Sequence, residues 1–192
     1  IRQLRPLTRE EMAGELELDP ARPVIIATLH PVLSELDRVE WQGREFMEAL
    51  VSCGEQVVVT YPNLDPGGRR LASVVEEYRG RAGIRIAVNL GQRVYLSLLR
   101  WAAAMVGNSS SGLLEAPSFG LPVVNIGGRQ QGREERERVA HLPRGWSGRC
   151  GTRSSGGGRA PAAILTETVR AARGSRASCG RRRWAASCCR SE

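Results

Sequence analysis

The stretch MVGNSSSGLLEAP, residues 105–117, decides the fold. It is typical of a buried strand that breaks into a turn of small polar residues and then opens a helix. The first turn of a helix leaves backbone N–H groups without intrahelical partners, and the helix dipole adds partial positive charge there. Glycines 107 and 112 allow close approach of a ligand, and serine hydroxyls can donate to it. The stretch therefore predicts an anion site, with simple helix capping as the alternative.

Glu115 extends this prediction from an anion to a nucleotide. It follows the serines by one helical turn and can face the same pocket. Its two acceptor oxygens suit the diol of a ribose. Serines and glutamate together indicate a nucleotide diphosphate site.

Around this stretch, short apolar runs alternate with amphipathic segments, which indicates an α/β fold with a Rossmann-like parallel sheet and flanking helices. The predicted strands are residues 24–29, 56–61, 84–88, 104–106 and 122–126. The predicted helices are residues 38–52, 71–78, 93–103 and 112–119.

Polar residues follow the predicted strands at the points where the strands end. In chain order these are His30, then Asn63 and Asp65, then Asn89 with its apolar neighbour Leu90, then residues 108–111, and finally Arg129. Ligands of parallel sheets bind beyond the carboxyl ends of the strands. Each residue alone is more often structural, but their common placement predicts one site.

Length and composition indicate one domain, because the chain has 192 residues of which 41% are hydrophobic. The sequence contains neither a bilayer-length apolar run nor a signal pattern, so we expect a cytoplasmic protein without a membrane partner. The chain starts at Ile1 rather than methionine, and we expect it to be a fragment.

The basic charge is confined to the C-terminal part of the chain. Residues 1–142 hold 17 arginines and 18 acidic residues, whereas residues 143–192 hold 11 arginines and two acidic residues. Every cation is arginine, a bias typical of GC-rich coding sequence, so a nucleic-acid partner is not predicted. The five cysteines lack metal-binding spacing, and neither a metal nor a cofactor is expected.

These shifts in composition divide the chain into two parts. Residues 1–140 form the predicted α/β domain, and residues 141–192 form a basic tail rich in arginine, glycine, serine and cysteine. The tail resembles either out-of-frame translation or a disordered extension.

Four strings resemble the UDP-N-acetylglucosamine 2-epimerases, specifically their hydrolysing branch. They are TLHPV at residues 28–32, YPNLD at 61–65, GNSSSGLLEA at 107–116 and GLPVVNIGGRQQGR at 120–133. The strings THRxEN and DSGGxxEE, which are typical of the non-hydrolysing branch, do not occur. The resemblance covers residues 1–140.

This resemblance implies a two-domain GT-B architecture of which the chain supplies the C-terminal, UDP-binding half. By similarity, Ser109 and Ser110 hold the diphosphate, Glu115 the ribose and Leu90 the uracil. Asn63 and Arg129 line the same pocket, and His30, as a catalytic group, sits protonated beside the leaving diphosphate.

The implied reaction removes the C2 proton and UDP from UDP-N-acetylglucosamine and then adds water, giving N-acetylmannosamine for sialic acid synthesis. The acid and base at C2 belong to an N-terminal domain absent from this chain, so we expect the isolated fragment to be inactive. The intact parent is expected to be a homo-oligomer. A GT-B glycosyltransferase donor domain and an inactive product of a damaged gene are the alternatives.

Overall fold

A computed structural model describes residues 5–132 and 139–142 of the chain. They contain six strands, β1 to β6, which are Val24–Thr28, Gln56–Thr60, Ile84–Ala87, Ala104–Gly107, Val123–Ile126 and Val139–Leu142. Five α-helices, α1 to α5, are Arg9–Glu15, Val39–Ser52, Gly68–Glu76, Gly91–Trp101 and Ser111–Leu114. Two 3-10 helices cover Leu33–Arg38 and Ala116–Phe119.

The strands form one parallel sheet in the order β3-β2-β1-β4-β5-β6. The predicted parallel α/β fold is therefore confirmed. The chain moves outward from β1 to β3, returns to the centre, and moves outward again from β4 to β6. The order reverses between β1 and β4, and a crevice forms at the carboxyl ends of such neighbouring strands.

Alternate residues of the central strands face two separate apolar layers. Ile25 and Ala27 of β1 pack with residues of α2 and α3, whereas Val24 and Ile26 pack with residues of α1 and α4. A sheet covered on both faces explains why its strands are continuous apolar runs.

Helix α1 and strand β6 were not among the predicted elements. The sequence signal for α1 is present, because Thr8 and Glu11 form a capping box in which each side chain accepts the other residue's backbone N–H. The predicted division at residue 140 falls inside β6. The tail lies outside the described residues, so its nature stays a prediction.

The predicted helix over residues 112–119 is correct in position, but it is not one continuous α-helix. The structure has the four-residue helix α5, which ends before Glu115, followed by a 3-10 helix. Pro117 explains the break, because it has no N–H to donate and its ring collides with the carbonyl of residue 113 in a continuous helix. A helix dipole therefore adds little charge at the serine turn.

Candidate functional site

Asn108 joins the segments that follow the two central strands. The His30 backbone N–H donates to Asn108 Oδ1 at 2.7 Å, and Asn108 Nδ2 donates to the His30 carbonyl oxygen at 2.8 Å. The asparagine is 2% exposed. Its amide therefore acts as a buried clamp that fixes the segment after β1 against the turn after β4.

Gly107 makes this clamp sterically possible. Its φ is +134°, and a Cβ at this position would lie 1.7 Å from the backbone oxygen of Thr28 on the neighbouring strand. Any side chain here would push β4 away from β1. Glycine at residue 107 thus brings Asn108 within reach of His30.

The imidazole of His30 is oriented by the segment after β2. The Asn63 backbone N–H donates to His30 Nδ1 at 3.0 Å. Since Nδ1 accepts this bond, the neutral ring carries its proton on Nε2. His30 is therefore a hydrogen-bond donor through Nε2.

The pKa of His30 is lowered from 6.5 to about 4. Burial is the main cause and the charge of Arg129 adds to it, while Asp65 acts in the opposite direction. In the chain without ligand this imidazole is therefore neutral at pH 7, and the protonated histidine beside the leaving diphosphate stays a prediction for the ligand-bound site. The motif around His30 does not reveal this shift, since the arginine beside it comes from a segment 99 positions later in the sequence.

Arg129 completes this group of residues from the segment after β5. Its Nη1 donates to the Asn108 carbonyl oxygen at 3.3 Å, and its Nη2 lies 3.8 Å from Asp65 Oδ2. Asp65 also accepts a hydrogen bond from Asn63 Nδ2. We call His30, Asn63, Asp65, Asn108 and Arg129 the amide cluster. All five follow predicted strand ends and were expected to share one site, and the resemblance names His30, Asn63 and Arg129 among them as site residues.

Gln130 supports the amide cluster through a hydrogen bond to Asn108. Its Nε2 donates to the Asn108 carbonyl oxygen at 2.7 Å, and the residue is 1% exposed. Within the described part of the chain, Gln130 Oε1 and Asn63 Oδ1 are buried oxygens without a hydrogen-bond partner. Sequence analysis missed the role of Gln130, although it directly follows Arg129 in the fourth string.

The serine turn supplies hydroxyl groups beside the same crevice. Ser109 Oγ accepts from the Ser111 backbone N–H at 3.4 Å, so its own O–H remains available as a donor. Ser110 is the residue that precedes α5, and its carbonyl accepts from Leu113 and Leu114. Because α5 is short, any affinity of this turn for an anion depends on hydroxyls and on Arg129 rather than on a long helix.

Glu115 is held by a second set of residues, which we call the hydroxyl chain: Tyr95, Ser111 and Glu115. Ser111 Oγ donates to Glu115 Oε2 at 2.5 Å, and the Tyr95 hydroxyl lies 2.5 Å from Ser111 Oγ. Sequence analysis gave neither Tyr95 nor Ser111 an individual role. The side chains meet because α4 packs against the 3-10 helix that follows α5.

An open cavity of about 330 Å³ adjoins the hydroxyl chain. The segments after β2 and β3 form its wall together with the start of α4, and Leu90 and Tyr95 both line it. Tyr95 therefore connects the surroundings of Leu90 with those of Glu115. The predicted site residues lie in two neighbouring groups along one edge of the sheet.

Neither a metal centre nor a membrane-spanning helix is found among the described residues. They contain no group of three or more His, Cys, Asp or Glu side chains that could hold a metal ion. None of the helices in the described segments is long and apolar enough to cross a membrane.

This geometry defines a doubly wound, Rossmann-like α/β domain with a polar site at the reversal point of its sheet. A family model described as UDP-N-acetylglucosamine 2-epimerase matches residues 3–144. The chain belongs to this UDP-N-acetylglucosamine 2-epimerase family.

Individual relatives agree with this assignment. The chain is 34% identical over 139 residues to a UDP-N,N'-diacetylbacillosamine 2-epimerase (hydrolyzing) of Legionella pneumophila, covering 72% of this chain and 37% of the relative. It is 28% identical over 142 residues to a GDP/UDP-N,N'-diacetylbacillosamine 2-epimerase (hydrolyzing) of Campylobacter jejuni, with the same two shares. A UDP-N-acetylglucosamine 2-epimerase of Neisseria meningitidis is 31% identical over 116 residues, covering 60% of this chain and 30% of the relative. The matched part of the chain thus spans between 30% and 37% of the length of these relatives.

Proposed function

We propose that this chain is the UDP-binding half of a hydrolysing 2-epimerase that acts on UDP-N-acetylglucosamine. The amide cluster is the observation that carries the proposal. Four separate segments bring His30, Asn63, Asn108 and Arg129 to one crevice at the sheet reversal, where this fold class binds nucleotides. The family match supports UDP as the nucleotide and 2-epimerisation as the reaction type.

In this proposal the amide cluster stabilises the departing diphosphate. Loss of the C2 proton and departure of UDP give 2-acetamidoglucal, to which water adds to form N-acetylmannosamine. His30 donates through Nε2–H, and Arg129 supplies positive charge for the oxygen that becomes negative. The nearby diphosphate favours the imidazolium and so raises the pKa of His30 from its low value in the free chain. Protonation requires Nδ1 to give up the hydrogen bond from the Asn63 N–H.

The other predicted contacts follow the two groups of residues. Ser109 and Ser110 bind the diphosphate beside the amide cluster. Glu115 accepts from the ribose, and the uracil occupies the cavity next to Leu90. The acid and base at C2 come from the part of the parent protein that this chain does not include, and the isolated chain is inactive.

The names of two relatives favour a second substrate, UDP-N,N'-diacetylbacillosamine. This sugar carries an additional acetamido group but leaves the UDP contacts unchanged. Purified intact parent enzyme, incubated separately with each UDP-sugar, distinguishes the two candidates by which one releases UDP and a free 2-epimerised sugar. Release from neither substrate would contradict the proposed reaction.

Calorimetric titration of UDP into the 192-residue chain tests the binding half of the proposal. We expect saturable binding that weakens about tenfold in Ser110→Ala and in Glu115→Ala, because each variant loses a polar contact to the ligand. Ser118→Ala removes a hydroxyl from the neighbouring 3-10 helix and serves as the control. A folded chain that does not bind UDP would refute the site assignment.

A further inference from the structure

We infer that Tyr95 and Ser111 are positioning residues that aim Glu115 at the ribose and thereby make this site selective for ribonucleotides. The inference rests on the proposed function, because it takes UDP as the ligand. It goes further by assigning roles to two side chains and by predicting a discrimination between nucleotides.

The direction of the hydrogen bonds is fixed by chemistry. A carboxylate can only accept, so the bond between Ser111 and Glu115 uses the single proton of the Ser111 hydroxyl. Ser111 Oγ must then accept in its contact with Tyr95, and the tyrosine hydroxyl donates. Burial raises the pKa of Tyr95 above 10, which keeps this hydroxyl protonated at neutral pH.

This order of donors and acceptors gives the two carboxylate oxygens of Glu115 different partners. Glu115 Oε2 is engaged by Ser111, so Oε1 is the oxygen left to accept from a ligand hydroxyl. Ser111 is 9% exposed, whereas Tyr95 and Glu115 are partly buried. Because the hydrogen bond from Ser111 already restricts the Glu115 side chain, this glutamate loses little side-chain freedom when a ribose binds.

Tyr95 also has a second surface in the site. Its side chain lines the open cavity together with Leu90 and Gly91, while its hydroxyl contacts Ser111. A base in this cavity and a ribose at Glu115 therefore share one supporting side chain. Removing the tyrosine hydroxyl should loosen Glu115 without changing the cavity wall.

The test compares UDP with 2′,3′-dideoxy-UDP, which keeps the base and the diphosphate but lacks both ribose hydroxyls. Dissociation constants are measured for the 192-residue chain and for Tyr95→Phe, Ser111→Ala and Ser111→Thr. We expect the unmodified chain to prefer UDP about tenfold and the first two variants to prefer it about threefold. Ser111→Thr retains a hydroxyl and should keep most of the preference.

Tyr78→Phe is the matched control, because Tyr78 is also buried and its hydroxyl donates to Glu48 at 2.7 Å, away from the site. This variant should keep the full preference. If Tyr95→Phe and Ser111→Ala weaken the binding of both ligands equally, the two residues have a merely structural role and the inference is overturned. The proposed function would survive that result, because the unmodified chain would still bind UDP. A folded, unmodified chain that binds neither ligand would instead overturn the proposed function and, with it, this inference.

Discussion

The amide cluster and the hydroxyl chain lie on the same edge of the sheet but are held in different ways. In the amide cluster, side-chain amides pair with backbone groups, and Asn108 and its support Gln130 are at most 2% exposed. In the hydroxyl chain, side chains pair with side chains, and Glu115 is only partly buried. The first arrangement is therefore part of the fold, whereas the second can be changed with little effect on folding.

Gly107→Ala should produce the largest effect, because it displaces the strand end that positions Asn108 in the amide cluster. The new Cβ meets the Thr28 backbone oxygen, so we expect the free energy of unfolding to fall by about 3 kcal/mol. Urea unfolding measures the loss. Gly54→Ala is the control, because Gly54 also has a positive φ but a Cβ there would meet no heavy atom within 4 Å, and it should cost only about 1 kcal/mol.

Asn108→Ala tests whether the clamp contributes to stability as well as to the site. It leaves the His30 N–H and carbonyl without their partner in a buried setting, at a cost of about 2 to 4 kcal/mol. Asn89→Ala removes an exposed amide that accepts one bond from Gly91 and should be nearly neutral. Equal losses of stability in the two variants would contradict the conclusion that the clamp of Asn108 is part of the fold.

Arg129→Gln should affect the site more than the fold. We expect UDP to bind about tenfold more weakly, because a charged donor to the diphosphate is lost. The pKa of His30 should rise from about 4, since the arginine charge contributes to its depression. Nuclear magnetic resonance titration measures this pKa, with His30→Asn used to assign the His30 signal.

Stability should depend on pH through His30. Its pKa is about 4 in the folded chain and 6.5 when unfolded, so the unfolded chain binds the proton first as pH falls. Stability is then fully present above pH 6.5 and is lost progressively as pH falls toward 4. Urea midpoints at pH 7 and pH 5 should differ in the unmodified chain and differ less in His30→Asn.

Glu76 provides a separate window for the same measurement. Hydrogen bonds from Arg79 and Tyr61 lower its pKa to about 2, so its contribution is present above its ordinary value near 4.5 and lost below it. A loss of stability between pH 6.5 and 5 therefore reports on His30 and not on this carboxylate.

Asp65→Asn should give the smallest effect. The Asp65 charge raises the pKa of His30, but it is the weakest of the three causes and its side chain is half-exposed. We expect a small further decrease in the pKa of His30 and little change in stability. A larger shift than that of Arg129→Gln would reverse the order of the electrostatic contributions described here.

Sequence patterns predicted the parallel sheet well, because strands buried on both faces are continuous apolar runs that end at proline or polar residues. They were only partly right at residues 112–119, where Pro117 divides the predicted helix into a short α-helix and a 3-10 helix. For the site, the positions of the predicted strand ends correctly placed His30, Asn63 and Arg129 at one edge of the sheet. The clamp of Asn108, the support from Gln130 and the hydroxyl chain depend on contacts between distant segments, which local patterns do not contain.

The strand order also has a consequence for how the protein is made. His30 and Asn108 are 78 residues apart in sequence, although their strands are neighbours in the sheet. During synthesis, β1, β2 and β3 can emerge from the ribosome and pair while β4 is still missing. The crevice therefore assembles late, after the longest loop in this half of the sheet has closed. Until then one edge of β1 is unpaired and can pair with a strand of another chain, which leads to aggregation. Pairing of β4 with β1 covers this edge.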